Sequence, residues 1–319
     1  MKAILRGTGH FLPENVVTND DLSKMVDTTD EWIVKRTGIK SRHIAGPQDT
    51  TLHMASEAAA CAIRDAGISA CDVDLIVVAT STPDRTLPSV ATMLQSKLGC
   101  TNAYAFDINA ACSGFVYALS VVDSLIKSGQ ARVALVVGAE AMSKIVDWED
   151  RSTCVLFGDG AGACILGVDE NAGDRGFIST ILRSDGSLSD ILYTDGGVCT
   201  TNTAGHIRMK GPVLFEHAVI RLCSVIRDIL DKTGISIDDI DWFIPHQANV
   251  RIVDLVTKKL NFPNDRVALY IEKHANTSAA SIPLAMHFMR KEGKLLEGQL
   301  VLFAAMGAGF TWGASLLRV

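Results

Sequence analysis

The sequence lacks the features that mark several common classes of protein. No apolar run approaches the roughly 18 to 20 residues that a membrane span needs, and residues 1–7 (MKAILRG) hold too short an apolar core for a signal peptide. The eight cysteines form no C-x-x-C pair, which excludes the usual zinc knuckles and dithiol redox motifs. We therefore expect reduced thiols, a cytoplasmic location and no metal.

The sequence also lacks an excess of positive charge. It holds 30 Lys and Arg against 36 Asp and Glu, a formal net charge of −6, which argues against a nucleic-acid partner. An acidic partner would need a local basic patch. Hydrophobic residues make up 48% and charged residues 21% of the 319 positions, as in ordinary globular proteins. This length allows one large α/β unit or two domains of about 150 residues.

An internal repeat is present. Residues 67–76 (GISACDVDLI) match 234–243 (GISIDDIDWF) at an offset of 167 positions. Other segments related by this offset are 133–136 with 300–303 and 109–112 with 276–279. Later the offset falls to 151, between 162–166 and 313–317, so the first half holds about sixteen extra residues between 138 and 157. We predict two copies of one unit, an N-terminal half at 1–170 and a C-terminal half at 171–319.

Each copy alternates strands and helices. Apolar runs of strand length occupy 75–79, 131–137 and 300–305, and the first residues, 1–7, also predict a strand. Helices are predicted over 54–66, 115–127 and 250–260, with a further helix opened by Pro88. This alternation predicts mainly parallel sheets with helices on both faces, and two such units would share a helical layer. The predicted fold class is α/β, a five-layer αβαβα sandwich with two pseudo-symmetric halves.

Three side chains are candidates for chemistry. Cys112 lies between a predicted strand and helix, where the helix dipole and free backbone N–H groups favour a thiolate. The alternative is a small buried hydrophobe. His246 follows the strand at 242–245, at the end where parallel sheets gather ligands, although such a histidine taken alone is more often satisfied by backbone groups. Asn276 stands at a turn pseudo-symmetric to that of Cys112, where asparagine is more often a helix cap.

Together the three residues point to one reaction class. A pseudo-twofold axis brings the two strand-to-helix turns towards each other, so Cys112, His246 and Asn276 can line one pocket. A cysteine nucleophile with neutral histidine and asparagine donors suits acyl-thioester chemistry.

The glycine-rich and basic segments admit bland and functional interpretations. Residues 157–163 (FGDGAGA) lead into a predicted strand, and no Walker lysine follows, which disfavours phosphate binding. The loop at 304–310 follows a buried strand, so it is either a tight turn or backbone close to the reacting centre. Arg251, Lys258 and Lys259 form a basic stripe on a predicted helix, either a solvated face or a dock for an acidic carrier.

Four motifs resemble those of the β-ketoacyl-acyl carrier protein synthase III family, in the family's order. They are 110–115 (AACSGF), 245–249 (PHQAN), 276–281 (NTSAAS) and 309–313 (GFTWG). The resemblance runs essentially end to end. It implies the thiolase fold, a homodimer and initiation of type II fatty-acid synthesis. The implied reaction condenses a short acyl-CoA, usually acetyl-CoA, with malonyl-acyl carrier protein to give 3-oxoacyl carrier protein, CO₂ and CoA, without a cofactor.

The resemblance also implies residue roles. Cys112 takes the acyl group, His246 and Asn276 stabilise the enolate, and the backbone N–H groups of Cys112 and Ala308 face the oxyanion. The positions matched to CoA contacts are Thr28, Trp32, Arg36, Arg151, Gly211, Phe215, Ala248 and Asn249. The positions matched to carrier-protein contacts are Gln247, Ala248, Asn249, Val250 and Arg251, and Lys258 and Lys259 extend this surface.

Three departures from the family pattern bear on the starter group. Ala308 and Ala275 stand where the family usually has glycine, and Leu87 occupies an acyl-pocket position that is often Phe in acetyl-selective members. The alternatives are a sister condensing enzyme that uses another acyl-CoA for a secondary metabolite, a thioester hydrolase, and a non-catalytic carrier-binding scaffold. Dependence on carrier protein, hydrolysis of the thioester, and failure to acylate would distinguish them.

Overall fold

The structure, a computed structural model, describes residues 2–319; Met1, at which the first predicted strand began, lies outside them. The strands are β1 (Ala3–Phe11), β2 (Val16–Thr18), β3 (Ser41–His43), β4 (Leu75–Ala79), β5 (Tyr104–Ile108), β6 (Val133–Ala141), β7 (Asp159–Val168), β8 (Gly176–Ser184), β9 (Leu192–Thr194), β10 (Ile207–Met209), β11 (Trp242–Pro245), β12 (Leu300–Gly307) and β13 (Thr311–Arg318). The α-helices are α1 (Asn19–Leu22), α2 (Asp30–Thr37), α3 (Thr51–Asp65), α4 (Val90–Leu98), α5 (Gly114–Lys127), α6 (Gly211–Thr233), α7 (Val250–Leu260), α8 (Ile271–His274) and α9 (Ser281–Lys291).

Two sheets of similar topology form the body of the protein. The first has the order β1-β7-β6-β4-β5 and the second β8-β13-β12-β11. Strands β4, β5 and β6 are parallel, as are β11 and β12, whereas β7 and β13 run antiparallel to both of their neighbours. The prediction of mainly parallel sheets therefore holds only for the strands joined by helical crossovers. Strand β13 follows β12 through a short turn, which can join only antiparallel strands.

The two sheets and their helices stack in five layers. Helices α5 and α9 pack between the sheets, and their apolar side chains form one core with both inner sheet faces. Helices α3 and α4 cover the outer face of the first sheet, and α6 and α7 cover that of the second. The predicted αβαβα sandwich is confirmed. No helix among residues 2–319 is both long enough and apolar enough to cross a membrane.

Local signals set the ends of the helices. Helix α3 begins earlier than predicted because the Thr50 hydroxyl accepts the His53 N–H as an N-cap. The further helix, α4, begins at Val90 with Ser89 as its cap, so Pro88 precedes the helix instead of opening it. Helix α7 has the predicted bounds and ends at Asn261 in the left-handed conformation.

The pairing of residues between neighbouring strands follows the sequence repeat. Val133 pairs with Gly167 in the first sheet, and Leu300 pairs with Arg318 in the second, which reproduces the offsets of 167 and 151. The extra residues of the first half lie in the connection from β6 to β7, which runs over 142–158, whereas β12 and β13 are joined by a short turn at 308–310. On this basis we propose the division of the chain into halves at 1–170 and 171–319.

The glycine-rich segment at 158–162 serves packing. Most of it lies in β7, and a Cβ at Gly162 would come within 2.5 Å of the Leu284 backbone nitrogen. Glycine therefore lets the first turn of α9 lie directly on the first sheet.

Candidate active site

The turn that carries Cys112 joins β5 to α5. It is a short 3₁₀ helix (Ala111–Ser113) that enters with Ala111 at φ +46°. The Asn109 side-chain oxygen accepts the Ala111 N–H at 3.3 Å, which supports this unusual backbone. Cys112 is buried, at 8% exposure, at the N-terminal end of α5. A substrate must therefore reach the thiol through the interior.

The turn that carries Asn276 has the same form and precedes α9. Its 3₁₀ segment (Ser278–Ala280) enters with Ser278 at φ +50°. The side-chain oxygen of Asn276 accepts the Ser278 N–H at 2.8 Å. This bond fixes the amide so that its NH₂ group is free to donate to a ligand. The side chain of Asn276 therefore supports its own turn and keeps an NH₂ group available at the cavity.

His246 follows the last residue of β11. Its Nδ1 and the Ser281 hydroxyl are hydrogen-bonded at 2.7 Å, and the same hydroxyl oxygen accepts the Gln247 N–H at 3.2 Å. Since that oxygen already accepts, its own proton can go to Nδ1, which leaves the ring proton on Nε2. Burial lowers the pKa of His246 to about 3, so the imidazole is a neutral donor.

All three side chains line one cavity of about 840 Å³. Gly307, at the end of β12, also lines the cavity and packs against the turn of Cys112. A Cβ at position 307 would lie 2.6 Å from the Cys112 nitrogen. Further lining residues include Trp32, Arg36, Arg151, Leu156, Phe157, Met209, Gly211, Phe215, Ala248, Asn249, Arg251 and Met306. The volume is in the range of pockets that hold a small organic ligand.

The prediction that the helix N-terminus favours a Cys112 thiolate is wrong for this pocket. Burial raises the pKa of the thiol to about 11, and the nearby Ser278 hydroxyl only partly opposes that rise. A few backbone dipoles do not offset the loss of water around a buried sulfur. The Cys112 side chain is therefore a thiol at neutral pH, and any reaction at its sulfur must remove the proton.

The mouth of the cavity carries stacked cations and rings. The Trp32 ring has the Arg36 guanidinium 4.3 Å and the Arg151 guanidinium 5.2 Å from its centre. Between α7 and α6, the Arg251 guanidinium lies 5.4 Å from the centre of the Phe215 ring. Arg151 also donates to the Asp27 carbonyl oxygen at 2.6 Å. Such pairs offer a planar, cationic surface to an aromatic or anionic ligand.

Some predicted contact residues lie away from the cavity. Thr28 is buried outside the lining, with its hydroxyl lacking a hydrogen-bond partner. The Ala308 side chain does not line the cavity, and its carbonyl accepts the Thr311 hydroxyl at 3.2 Å. Leu87 is 82% exposed on the surface.

Of the predicted carrier contacts, Gln247 is buried and Val250 is half-buried. Gln247 is 3% exposed, and it donates to the Pro245 and Ala268 carbonyl oxygens while accepting the Tyr270 N–H. Its prediction as a carrier contact is corrected, because a side chain with all its hydrogen bonds inside supports the site instead. The Val250 side chain packs on Gly38, so closely that a Cβ added at position 38 would lie 2.4 Å from it. Arg251, Lys258 and Lys259 are exposed on α7, as predicted.

Sequence reasoning missed three polar residues behind the site: Glu140, Ser278 and Ser281. The two serines lie in the quoted motif at 276–281, but nothing in the sequence shows which partners they meet. Glu140 does leave a signal, since a carboxyl group in an otherwise apolar, buried strand needs a reason.

One cluster of possible metal ligands lies outside the cavity. Among residues 2–319, the only group of three possible ligands that converges is His10, Cys61 and His287. The two imidazoles are stacked with centres 4.3 Å apart, so their in-plane lone pairs run side by side instead of meeting at one ion. We assign no metal to it.

The chain matches known proteins along its whole length. Residues 106–186 match the family described as 3-oxoacyl-[acyl-carrier-protein (ACP)] synthase III, and residues 230–319 match its C-terminal family. The beta-ketoacyl-[acyl-carrier-protein] synthase III of Anaplasma marginale (strain St. Maries) is 62% identical over 320 residues, covering 100% of this chain and 99% of the relative.

Solved structures agree. The 3-oxoacyl-[acyl-carrier-protein] synthase III of Aquifex aeolicus VF5 superposes with a TM-score of 0.95 at 50% identity, covering 99% of this chain and 100% of that one. The 3-oxoacyl-(acyl carrier protein) synthase III of Pseudomonas aeruginosa PAO1 gives a TM-score of 0.94 at 41% identity, with coverage of 100% and 98%.

Proposed function

The chain belongs to the 3-oxoacyl-[acyl-carrier-protein] synthase III family, and we propose that it acts through Cys112, His246 and Asn276. It is a condensing acyltransferase that initiates fatty-acid synthesis. The substrates proposed are a short acyl-CoA, with acetyl-CoA first, and malonyl-acyl carrier protein. The observation that carries the assignment of residues is their convergence, from three separate turns, on one buried cavity.

In the first half-reaction the Cys112 sulfur attacks the thioester carbonyl of acyl-CoA. The new C–S bond forms as the CoA sulfur leaves with its electron pair. The backbone N–H groups of Cys112 and Ala308 are proposed to receive the oxyanion, and Gly307 keeps that approach open because it has no side chain. The product is an acyl-Cys112 thioester.

In the second half-reaction malonyl thioester loses CO₂ beside His246 and Asn276. The negative charge develops on the thioester oxygen as an enolate. The neutral His246 Nε2–H and the Asn276 NH₂ group donate hydrogen bonds to it, and such preorganised donors contribute about 3 to 4 kcal/mol each. Ser281 and the Ser278 N–H hold the two donors in place. The carbanion then attacks the acyl-Cys112 carbonyl, and loss of CO₂ replaces any need for a cofactor.

The cavity mouth suits CoA. We propose that an adenine ring inserts between Trp32 and Arg151, while Arg36 meets the phosphates. Two stacked contacts need about 7 Å, so Arg151 must move outward from its 5.2 Å position. Its side chain is half-exposed, and this movement would break its contacts with Asp27. The remaining proposed CoA contacts are Gly211, Phe215, Ala248 and Asn249 along the tunnel and Thr28 behind it.

Two protein partners are proposed. Arg251, Lys258 and Lys259 give the site a basic flank on an otherwise acidic chain, which suits an acidic carrier protein. Leu87, a large apolar side chain at 82% exposure, suits burial in a second copy of the chain, beside its acyl pocket. The eight free thiols fit a reducing compartment, and we propose the cytoplasm.

The decisive experiment is intact-protein mass spectrometry after incubation with acetyl-CoA, followed by malonyl-acyl carrier protein. We expect a gain of one acetyl group that is absent in Cys112→Ala and is discharged as acetoacetyl carrier protein. Other acyl-CoAs test the starter preference. A folded wild type that no acyl-CoA labels would contradict the assignment of Cys112.

The carrier surface has its own test. The double variant Lys258→Glu and Lys259→Glu should raise KM for malonyl-acyl carrier protein about tenfold and leave acetylation by acetyl-CoA unchanged. The control is Lys2→Glu, which makes the same type of charge change beside the start of β1. Equal KM values for all three proteins would refute the docking surface.

A further inference from the structure

A buried arginine whose hydrogen-bond partners are all uncharged lies behind the mouth of the cavity. Arg42, in the middle of β3, is 0% exposed, and the proposed reaction does not use it. Its guanidinium donates to the Val17 carbonyl oxygen at 3.3 Å, the Asn19 side-chain oxygen at 2.9 Å and the Val155 carbonyl oxygen at 3.0 Å. Burial lowers the pKa of Arg42 to about 10, so the group is still a cation at neutral pH.

A cation in this place has a cost that an apolar side chain would avoid. Taking a guanidinium out of water is unfavourable, and uncharged acceptors return only part of that free energy. The Nε atom of Arg42 also lacks a hydrogen-bond partner within residues 2–319. What the guanidinium supplies, and an apolar side chain of the same length would not, is a set of directed bonds that join residues 17–19 to residue 155.

The segment at 17–19 holds α2, the helix that carries Trp32. The buried side chain of Asn19 donates to the Asp30 carboxylate at 2.8 Å and to the Ile39 carbonyl oxygen at 2.7 Å. Asp30 is the first residue of α2, and Ile39 follows the residue that caps its end. The amide of Asn19 therefore holds both ends of α2, while its oxygen is held by the guanidinium.

The other end of the guanidinium holds the connection at 142–158. Arg42 binds this connection at Val155, a residue that lines the cavity. Backbone hydrogen bonds within 150–156 make this part of the connection a compact turn, and Arg151 belongs to it. The position of the Val155 carbonyl group is thereby linked to the position of Arg151.

We propose that Arg42 is a positioning residue for the mouth of the cavity. It fixes α2 against the turn at 150–156 and so sets the gap between Trp32 and Arg151, where the adenine of CoA inserts. This inference rests on the proposed function, because it takes the mouth as the nucleotide site. With both backbones fixed, only the Arg151 side chain has to move, so little binding free energy is lost in ordering the walls.

The test compares acetyl-CoA with acetyl-pantetheine, the same thioester without the nucleotide. Single-turnover acetylation of the full-length protein, followed by intact mass, gives a half-saturating concentration and a limiting rate. Arg42→Met keeps the length of the side chain and removes its hydrogen bonds. It should raise the half-saturating concentration of acetyl-CoA about tenfold and leave the limiting rate unchanged. The second-order rate constant for acetyl-pantetheine should stay that of wild type, because this molecule places nothing between the walls.

A second variant separates position from charge. Loss of the Arg42 cation would weaken binding of an anion by electrostatics alone. Asp30→Ala removes the Asn19 partner at the start of α2, but it removes a negative charge, which by electrostatics alone would strengthen that binding. We expect binding of acetyl-CoA to weaken about threefold, since the bond from Asn19 to Ile39 remains. Asp30 is half-buried, so this variant also carries the test if Arg42→Met does not fold.

Two controls match these changes. Arg266→Met removes the same charge and two hydrogen bonds to carbonyl oxygens, those of Asp238 and Ile240, away from the cavity lining. Leu94→Ala, in the buried face of α4, lowers stability without touching either wall. Both controls should keep the wild-type half-saturating concentration of acetyl-CoA. Urea unfolding of every variant separates a weaker nucleotide site from a loss of fold.

The results distinguish this inference from the proposed function. If Trp32→Ala keeps the wild-type preference for acetyl-CoA over acetyl-pantetheine, the mouth is not the nucleotide site. If Trp32→Ala loses that preference while folded Arg42→Met and Asp30→Ala keep it, Arg42 is a structural residue only. Arg42→Met that slows both thioesters equally, or Asp30→Ala that binds acetyl-CoA more tightly, would also overturn the positioning role.

Discussion

The turn that carries Cys112 and the turn that carries Asn276 share one backbone form. Ala111 and Ser278, the residues with positive φ, are 167 positions apart, and the helices that follow begin 167 positions apart, at 114 and 281. In both turns an asparagine oxygen accepts the N–H two residues on, from Asn109 and from Asn276. The local fold is thus one motif used twice.

The two turns differ in which position faces the cavity. The first turn presents Cys112, whereas its counterpart, Ala279, is buried and does not line the cavity. The second turn presents Asn276, whereas its counterpart, Asn109, is exposed elsewhere. The lesson is that a repeated scaffold gained a site by using different positions of the same turn in its two copies.

The strand ends behind the turns differ in the same way. Glu140 and Gly307 are also 167 positions apart. The strand end of Glu140 packs against the turn of Asn276, and that of Gly307 packs against the turn of Cys112. Glycine leaves room for the backbone of Cys112, and the glutamate places a carboxyl group beside Ser278. Each difference between the halves can be tested by a pair of variants.

The largest difference is expected between the two asparagines. Asn276→Ala should lower the rate of malonyl decarboxylation and condensation by 100- to 1000-fold, about 3 to 4 kcal/mol, and spare acetylation of Cys112. Asn109→Ala removes the same local hydrogen bond but no ligand donor, and should cost less than tenfold. Stopped-flow condensation assays distinguish them, and equal losses would refute the difference in roles.

The next effect concerns stability against pH. Burial raises the pKa of Glu140 from 4.5 to about 7, so its contribution to stability is full below pH 4.5 and is lost as the pH rises through 7. The free energy of unfolding of wild type relative to Glu140→Gln should therefore fall over this window by about 3 kcal/mol. Urea unfolding at several pH values checks this. A difference that does not change with pH would mean that Glu140 is ionised in both states.

A smaller effect is expected at Gly307. Gly307→Ala places a methyl group 2.6 Å from the Cys112 backbone nitrogen, and should cost about 1 to 3 kcal/mol of stability and slow acetylation. Gly186→Ala is the control, because its Cβ meets nothing within 4 Å and the change should stay within about 0.5 kcal/mol. Equal urea midpoints for the two variants would contradict the close approach.

The smallest effect is expected just before Asn276. Ala275 has φ +55° and ψ −158°, a conformation that suits glycine, whereas its counterpart Ile108 ends an ordinary strand. Ala275→Gly should stabilise the protein by about 1 kcal/mol, although glycine usually destabilises. Ala285→Gly, inside α9, should destabilise by a similar amount. Thermal unfolding that shows the same sign for both would contradict strain at Ala275.

Much of the fold could be predicted because the patterns that indicate its strands and helices are local in the sequence. The apolar runs and helix patterns depend on neighbours within one or two turns, and the repeat needs only two similar segments. The bounds of β4 and α7 agree with the predictions for that reason. The antiparallel direction of β7 and β13 was not predicted. Strand direction depends on the length of the connection and on the partner strand, and hydrophobic periodicity records neither.

For the site, the sequence by itself determined the residue types and their order: a cysteine, a histidine and an asparagine, each at a strand end or a turn. Only the tertiary structure decided their electrostatics. Burial set the raised pKa of Cys112 and the neutral state of His246, and it turned Gln247 inward. It also brought Glu140 to Ser278 across 138 positions of chain. Desolvation and hydrogen-bond partners depend on what surrounds a group in space, and linear spacing does not contain that information.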